Sequence, residues 1–420
     1  MEINSLMVFV AVFIVARVAM SLFLDSLNAS HLRSFAGRMP ERFKGWFDEA
    51  GFAKSSAYTL DRLRLNSLLL VWDSLVLALV LFSGFLPWIY RELELATGRS
   101  VPAQALILLV ISLILSLPDL PGDWWSTFRV EARHGFNNSS PSLWIADRLK
   151  GVVISSLVMY PVVCVLLLLV GLPLWWVWAF AFLFIFQLLM MILYPMFIMP
   201  LFNKFTPLPE GELRERLMSL ADRTGFVAKT ILVMDGSRRS GHSNAFFTGL
   251  GKSRRVVLYD TLVEQLDAEE LEAVLAHEIG HHKLGHIPRG LAVAGVIMFI
   301  GMAFLGWLVA EPGFVGSFGF SFDPSRPAPA LMLFSLLAGV FSFWFSPLLA
   351  VLSRRHEYQA DAFASRALQG DAQPLIRALR KLHTKNLGNP VPHPLYSAFH
   401  YSHPTLVERE DALLNQHQQA

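Results

Sequence analysis

His277-Glu278-Ile279-Gly280-His281 sets two imidazoles four residues apart, with a carboxylate beside the first. On a helix, positions i and i+4 lie on one face, so both rings reach a single ion. This is the pattern of two zinc ligands with a general base between them. A catalytic zinc takes three protein ligands and keeps one position for water, so a third donor is required. The candidate is Glu357, in Arg354-Arg355-His356-Glu357-Tyr358-Gln359-Ala360-Asp361. Asp361 follows one turn later on the same face, where a carboxylate can orient a ligand histidine through its other ring nitrogen. Plainer readings stand beside these. His282 and His286 are also four apart, although Lys283 follows the first of them and leaves hydrolysis without a base. Glu357 can be a solvated residue beside Arg354 and Arg355, and Asp361 a surface acid.

The elements that must position these residues lie mostly in a membrane. Of the 420 residues 54% are hydrophobic and 16% charged, a balance foreign to an ordinary soluble domain. Seven apolar blocks approach the roughly 20 residues needed to cross a bilayer: Ser5–Leu24, Asn66–Tyr90, Pro102–Leu117, Gly151–Val170, Leu174–Met199, Gly290–Ala310 and Ala328–Leu352. The expected fold is therefore mainly α and polytopic, with spans one to five in residues 1–200. The metallopeptidase region, residues 201–420, includes spans six and seven and the tail. Segment 25–65 carries seven Lys and Arg, whereas 91–101 and 311–327 together carry three. The excess places the N-terminus outside and the large insertion and tail in the cytoplasm. Cys164, the single cysteine, excludes an intrachain disulfide framework. A net charge of +2 and the absence of a basic patch argue against nucleic acid.

Within the insertion, Glu210–Gly225 reads as an amphipathic helix ended by glycine, and Thr230–Met234 as a strand. Gly236–Gly241 reads as a turn. Asn244–Gly249 and Arg255–Tyr259 form two strands, and Asn244 is as readily a turn residue at a strand end. Asp267 and Glu270 form a capping box for a helix over Leu271–Leu284 that carries the histidines. Gly285 and Pro288 end or kink that helix. A short outer loop makes spans six and seven antiparallel neighbours. At 1.5 Å per residue, His281 and Glu357 then project about 8–12 Å beyond the bilayer core on one side.

The chain resembles the CAAX prenyl protease 1 family of membrane zinc metalloendopeptidases over nearly its whole length. The carrying segments are His277–His281 with Lys283-Leu284-Gly285-His286, and Glu357–Asp361. Ser243-Asn244-Ala245-Phe246, Pro200–Phe205, Ser126-Thr127-Phe128, Gly135-Phe136-Asn137 and His403-Pro404-Thr405 through Arg409 add to them. The resemblance implies seven helices around an internal chamber and one Zn2+ held by His277, His281 and Glu357. It also implies a peptide or protein substrate, prenylated, that loses its last three residues. Glu278 would be the base, Asn244 would hold the substrate backbone, and His403 would stabilise the oxyanion, with Arg409 nearby. On spacing alone, His403-Pro404 is equally an ordinary turn. The lack of long insertions suggests a bacterial relative, so the expected membrane is a bacterial inner membrane or the endoplasmic reticulum, and a monomer is expected.

Three other readings compete. An HtpX-type quality-control protease would have fewer spans and no long N-terminal half. A transporter or scaffold would close its zinc with four protein ligands. A site-2-type protease would bury the motif in a span, which the flanking Glu269, Glu270, Glu272 and Lys283 oppose.

Overall fold

A computed structural model describes residues 4–226, 230–248, 255–324 and 326–417. Backbone in hydrocarbon must satisfy its hydrogen bonds within one segment, so apolar runs of this length become helices. Among the described residues seven helices are long and apolar enough to cross a membrane. They are α1 (Ser5–Ser34), α2 (Glu49–Phe82), α4 (Val101–His134), α5 (Pro141–Leu169), α6 (Trp175–Leu201), α10 (His286–Ala310) and α12 (Ala328–Ala367). A shorter helix, α3 (Phe85–Thr97), links α2 to α4, and α11 (Pro312–Gly316) follows α10.

Several boundaries differ from the sequence expectation. The second apolar block, Asn66–Tyr90, is divided between α2 and α3, because Gly84 adopts a φ of 80° that only glycine takes freely. The third block continues well past Leu117. It passes Pro118 and Pro121, with a 3-10 turn at Leu117–Asp119 and a π turn at Ser126–Glu131. Asp119, Asp123 and Arg129 end the apolar run without ending the helix.

Between α6 and α10 lies a small α+β region. It holds β1 (Phe205–Pro207), α7 (Glu212–Arg223), β2 (Thr230–Met234), β3 (Ala245–Thr248), β4 (Arg255–Tyr259), α8 (Asp260–Gln265) and α9 (Ala268–Lys283). Of the strand expected over Asn244–Gly249, Ala245–Thr248 is a strand, and Gly249 lies outside the described residues. The sheet order is β1-β2-β4-β3, with β2 and β4 parallel and the outer pairs antiparallel. β3 is therefore an edge strand. Three helices, α13 (Gln373–Lys385), α14 (Pro394–His400) and α15 (Leu406–His417), complete the chain.

The core of this region packs Leu217 and Leu220 of α7 with Leu271, Leu275 and Ile279 of α9 and with Ala364, Leu375 and Ile376. Its closest approach is between α9 and α12. A Cβ added to Gly280 would stand 3.1 Å from Ala360 Cα and 3.2 Å from Ala360 O. Gly280 is thus the residue that lets two helix backbones meet.

The membrane helices and the peptidase region are tied at several points. Asn28 Oδ1 of α1 accepts from Asn389 Nδ2 at 3.2 Å and from the His393 backbone N–H at 3.0 Å. Arg239 donates through Nε and Nη2 to Asp147 of α5 at 2.8 and 3.1 Å. Tyr58 donates to Glu131 at 2.8 Å, and His242 Nε2 lies 3.3 Å from the other oxygen of that carboxylate. A bridge pairs Asn137 with Ser240. Between the helices is a cavity of about 1040 Å3, lined by Arg62, Ser112, Glu131, Asp147, Arg239 and His242 among others.

Replacing Gly280 with leucine drives a branched side chain into the Ala360 backbone and should destabilise the protein by about 1–3 kcal/mol. It should also lower zinc content. Gly280→Ala needs only a few tenths of an ångström and gains helix propensity of about 1 kcal/mol, so its zinc content should match the parent. Thermal unfolding and elemental analysis of both variants distinguish a tight helix contact from a permissive one.

Candidate metal and catalytic centre

The helix bearing the first two candidate ligands is held at both ends. Asp267 Oδ1 accepts from the Glu269 and Glu270 backbone N–H at 3.0 and 2.9 Å, and Glu270 Oε2 accepts from Asp267 N–H at 3.0 Å. This is the expected capping box. At the other end Gly285, with φ of 70°, turns the chain, and α10 starts at His286. The helix α9 thus ends at the expected break and does not run straight into the sixth span. Gly285 takes a left-handed conformation that interrupts the run, while Pro288 sits in the first turn of α10.

His277, His281 and Glu357 converge. Their nearest donor atoms all lie within 4.8 Å of one another. His277 Nε2 is 3.2 Å from His281 Nε2, Glu357 Oε1 is 3.2 Å from His281 Nε2, and Glu357 Oε2 is 3.5 Å from His277 Nε2. What lies behind each ligand fixes which atom faces the cluster. His277 Nδ1 is 2.8 Å from Asp361 Oδ1, which accepts its N–H and leaves the Nε2 lone pair forward. On His281, Nδ1 is 3.0 Å from His286 Nδ1, and His286 Nε2 is 2.9 Å from Gln359 Oε1. With Gln359 Oε1 accepting from His286, His286 Nδ1 accepts from His281 Nδ1–H, and His281 Nε2 is again a free lone pair. These tautomers are assigned from the hydrogen-bond pattern.

The donor set fits a zinc ion on its chemistry. Two imidazole lone pairs and a carboxylate at hydrogen-bond separation repel unless a cation joins them. Glu357 Oε2 is buried and accepts no hydrogen bond, which is costly for a carboxylate oxygen without a metal. The cluster is a single Zn2+ site. Three protein ligands meet here among the described residues, whereas a closed structural site takes four. The alternative pair is not assembled: His282 packs edge-on against Phe226, and His286 stands behind His281.

Arg409 of α15 is buried and grips Asp361, with Nε to Oδ2 at 2.8 Å and Nη2 to Oδ1 at 2.6 Å. His403 is exposed, with Nε2 3.3 Å from Glu357 Oε1 and Nδ1 2.9 Å from Ser402 Oγ. Glu278 is half-buried beside His277. Asn244 opens the edge strand β3: its carbonyl accepts from Tyr259 N–H at 3.0 Å and its side-chain oxygen from Ala245 N–H at 2.9 Å. Among the described residues it makes no hydrogen bond to the cluster. Sequence reasoning left His286 only as an alternative ligand and passed over Gln359. The signal available was a third histidine five residues after His281, beyond a glycine.

Burial lowers the His277 pKa, but hydrogen bonds to Asp361 and Glu357 outweigh it and raise the ring to about 9. In metal-stripped protein His277 therefore carries an extra proton below that pH, and zinc must displace it. Zinc affinity should fall about tenfold for each pH unit of acidification. Chelator competition at a series of pH values checks this, and an affinity flat from about pH 6 to about pH 8 contradicts it. His286→Phe removes the acceptor behind His281 and should weaken zinc binding about 10–100-fold. Zinc release to a chromogenic chelator measures this, and wild-type retention would show that His286 does not orient the ligand.

Comparison with known proteins places both halves of the chain. Residues 28–204 match the family model described as CAAX prenyl protease N-terminal, five membrane helices, and residues 207–417 match Peptidase family M48. A five-helix N-terminal half is what an HtpX-type enzyme would lack. A rice protein, CAAX prenyl protease 1 homolog, is 38% identical over 385 residues, covering 89% of this chain and 90% of that protein. The human homolog is 32% identical over 412 residues, covering 87% and 86%. The baker's yeast CAAX prenyl protease 1 is 40% identical over 333 residues, covering 75% and 73%. The crystal structure of S. mikatae Ste24p superposes with a TM-score of 0.92 at 33% identity, covering 98% of this chain and all of that one. A three-ligand zinc centre held beside seven membrane helices, matched along both halves, places the chain in the CAAX prenyl protease 1 family of membrane zinc metalloendopeptidases.

Proposed function

We propose that this endopeptidase removes the last three residues of prenylated CAAX proteins, acting as a monomer with its site on the cytoplasmic side. The observation that carries the reading is the His277–His281–Glu357 cluster with Glu278 alongside and the edge strand β3 in the same small region. The full-length likeness to proteins named CAAX prenyl proteases supports the substrate. The excess of basic residues on the segments flanking the site supports the cytoplasmic side, and a cluster complete within one chain supports a monomer.

His277, His281 and Glu357 hold the ion. When bound, zinc acts as a Lewis acid and brings the pKa of its water toward ~7. Glu278 takes the proton of the attacking water and delivers it to the leaving amine. Burial pushes the Glu278 carboxyl above the usual carboxylate range, against the pull of His277 and His281, which suits a base that must also return its proton. The β3 edge beginning at Asn244, which has no second strand partner among the described residues, offers its backbone groups to an extended peptide, which adds as a further strand. His403, with Ser402 donating to Nδ1, turns its Nε2–H toward the cluster, where a donor to the oxyanion contributes about 3–4 kcal/mol. Asp361 orients His277, and Arg409 holds Asp361.

Glu278→Gln keeps the shape of the site but removes the base. Zinc content should stay at one per chain, while peptide hydrolysis falls about a hundredfold or more; sustained turnover would remove Glu278 from the role. For the substrate, a farnesylated CAAX peptide and its unfarnesylated twin are incubated with the purified protein and the products weighed. Loss of three C-terminal residues from the farnesylated peptide alone is the expected result. Equal cleavage of both would refute the requirement for a prenyl group.

A further inference from the structure

A second feature of the fold lies away from the zinc. The facing surfaces of α2 and the later part of α4 enclose a groove of about 1180 Å3. Its lining comes only from residues 61–72 and 118–133, so no third element closes it and it opens sideways from the helix bundle. The floor is built by close contact: a Cβ on Gly122 would meet Leu69 Cδ2 at 2.4 Å, and Trp72 Nε1 donates to Pro118 O at 3.0 Å.

The order of side chains along the groove is the same on both walls. The two helices run in opposite directions. On α2, Arg64 stands eight residues from Trp72, and on α4, Arg133 stands eight residues from Trp125. At 1.5 Å per residue each arginine is about 12 Å from its tryptophan along the helix. Both walls thus place guanidinium groups toward the peptidase side and indoles deeper. Leu68, Trp72 and Trp125 are exposed. Charge at the outer end with aliphatic and indole surface running inward is the order of a phospholipid at a bilayer boundary.

The charge at the outer end is unbalanced. Asp61 is the single carboxylate in the lining, and it is engaged by Arg133 at 3.1 Å and His134 at 3.0 Å. Arg129 lies over the Trp125 ring, 5.8 Å from its centroid. Arg64 has no carboxylate within ion-pair distance among the described residues. An ammonium-bearing headgroup finds only the occupied Asp61, whereas a net negative headgroup meets three guanidiniums.

We propose that this groove binds one phospholipid with an anionic headgroup, its phosphate among Arg64, Arg129 and Arg133 and an acyl chain along Leu68, Trp72 and Trp125. The site is separate from the zinc chemistry and does not depend on the substrate assigned above.

The test uses full-length zinc-loaded protein in detergent, offered equal amounts of phosphatidylglycerol and phosphatidylcholine, with retained lipid read by native mass spectrometry. Wild type should hold phosphatidylglycerol in preference. Arg64→Gln with Arg129→Gln should lose about fivefold per charge, about twenty-five-fold together. Arg64→Lys with Arg129→Lys keeps the charge and should keep most of the retention, while peptidase turnover of each variant reports that it is folded. Equal retention of the two lipids by wild type, or unchanged phosphatidylglycerol retention in the glutamine pair, overturns the proposal. Displacement of the lipid by a farnesylated peptide would assign the groove to substrate and also overturn it.

Discussion

The metal centre depends on one close contact between two helix backbones. Gly280 of α9 faces Ala360 of α12, and even a methyl group there would press on the Ala360 backbone at 3.1 to 3.2 Å. Each helix carries its site residues within one turn of that contact: the ligands His277 and His281 on either side of Gly280, the ligand Glu357 and its supporting neighbour Asp361 on either side of Ala360. A change in helix separation is therefore passed to the ligand distances with almost no lever arm. Packed interiors resist such change because they are close to crystal density.

The buried charges around this contact follow a compact logic. Glu357 and Asp361 are nearly inaccessible, Glu278 is half-buried, and Arg409 is the guanidinium that grips Asp361. Carboxylates in such surroundings require strong partners. Asp361 is fully engaged by Arg409 and His277, whereas Glu357 Oε2 accepts no hydrogen bond and has Arg409 Nη1 only at 3.8 Å. The protein thus neutralises the supporting carboxylate itself and leaves the ligating one dependent on the ion.

Much of this was legible in the sequence, for identifiable reasons. The spacing of His277 and His281 states a helix face, the Asp267–Glu270 pair states where that helix begins, and seven apolar blocks state the membrane helices. Glu357 could be placed because spans six and seven are joined by a short loop. The rest was hidden by features that local pattern does not encode. His286 reaches His281 only because Gly285 reverses the backbone, so no single helical period relates them. The later part of α4 carries Asp119, Asp123 and Arg129, and reads as a loop by apolar content. The contact of His242 with Glu131 joins residues 111 positions apart, on different elements.

The ties between membrane helices and peptidase region bear on how a substrate arrives. Asn28 holds the segment leading to His403, Asp147 holds Arg239, and Asn137 pairs with Ser240 shortly before Asn244. The strand edge and the loop bearing His403 are thus fastened to the bundle through three separate helices or their extensions. Each tie joins the peptidase region to a different part of the bundle. Any widening of the way to the zinc between those helices has to break these bonds first.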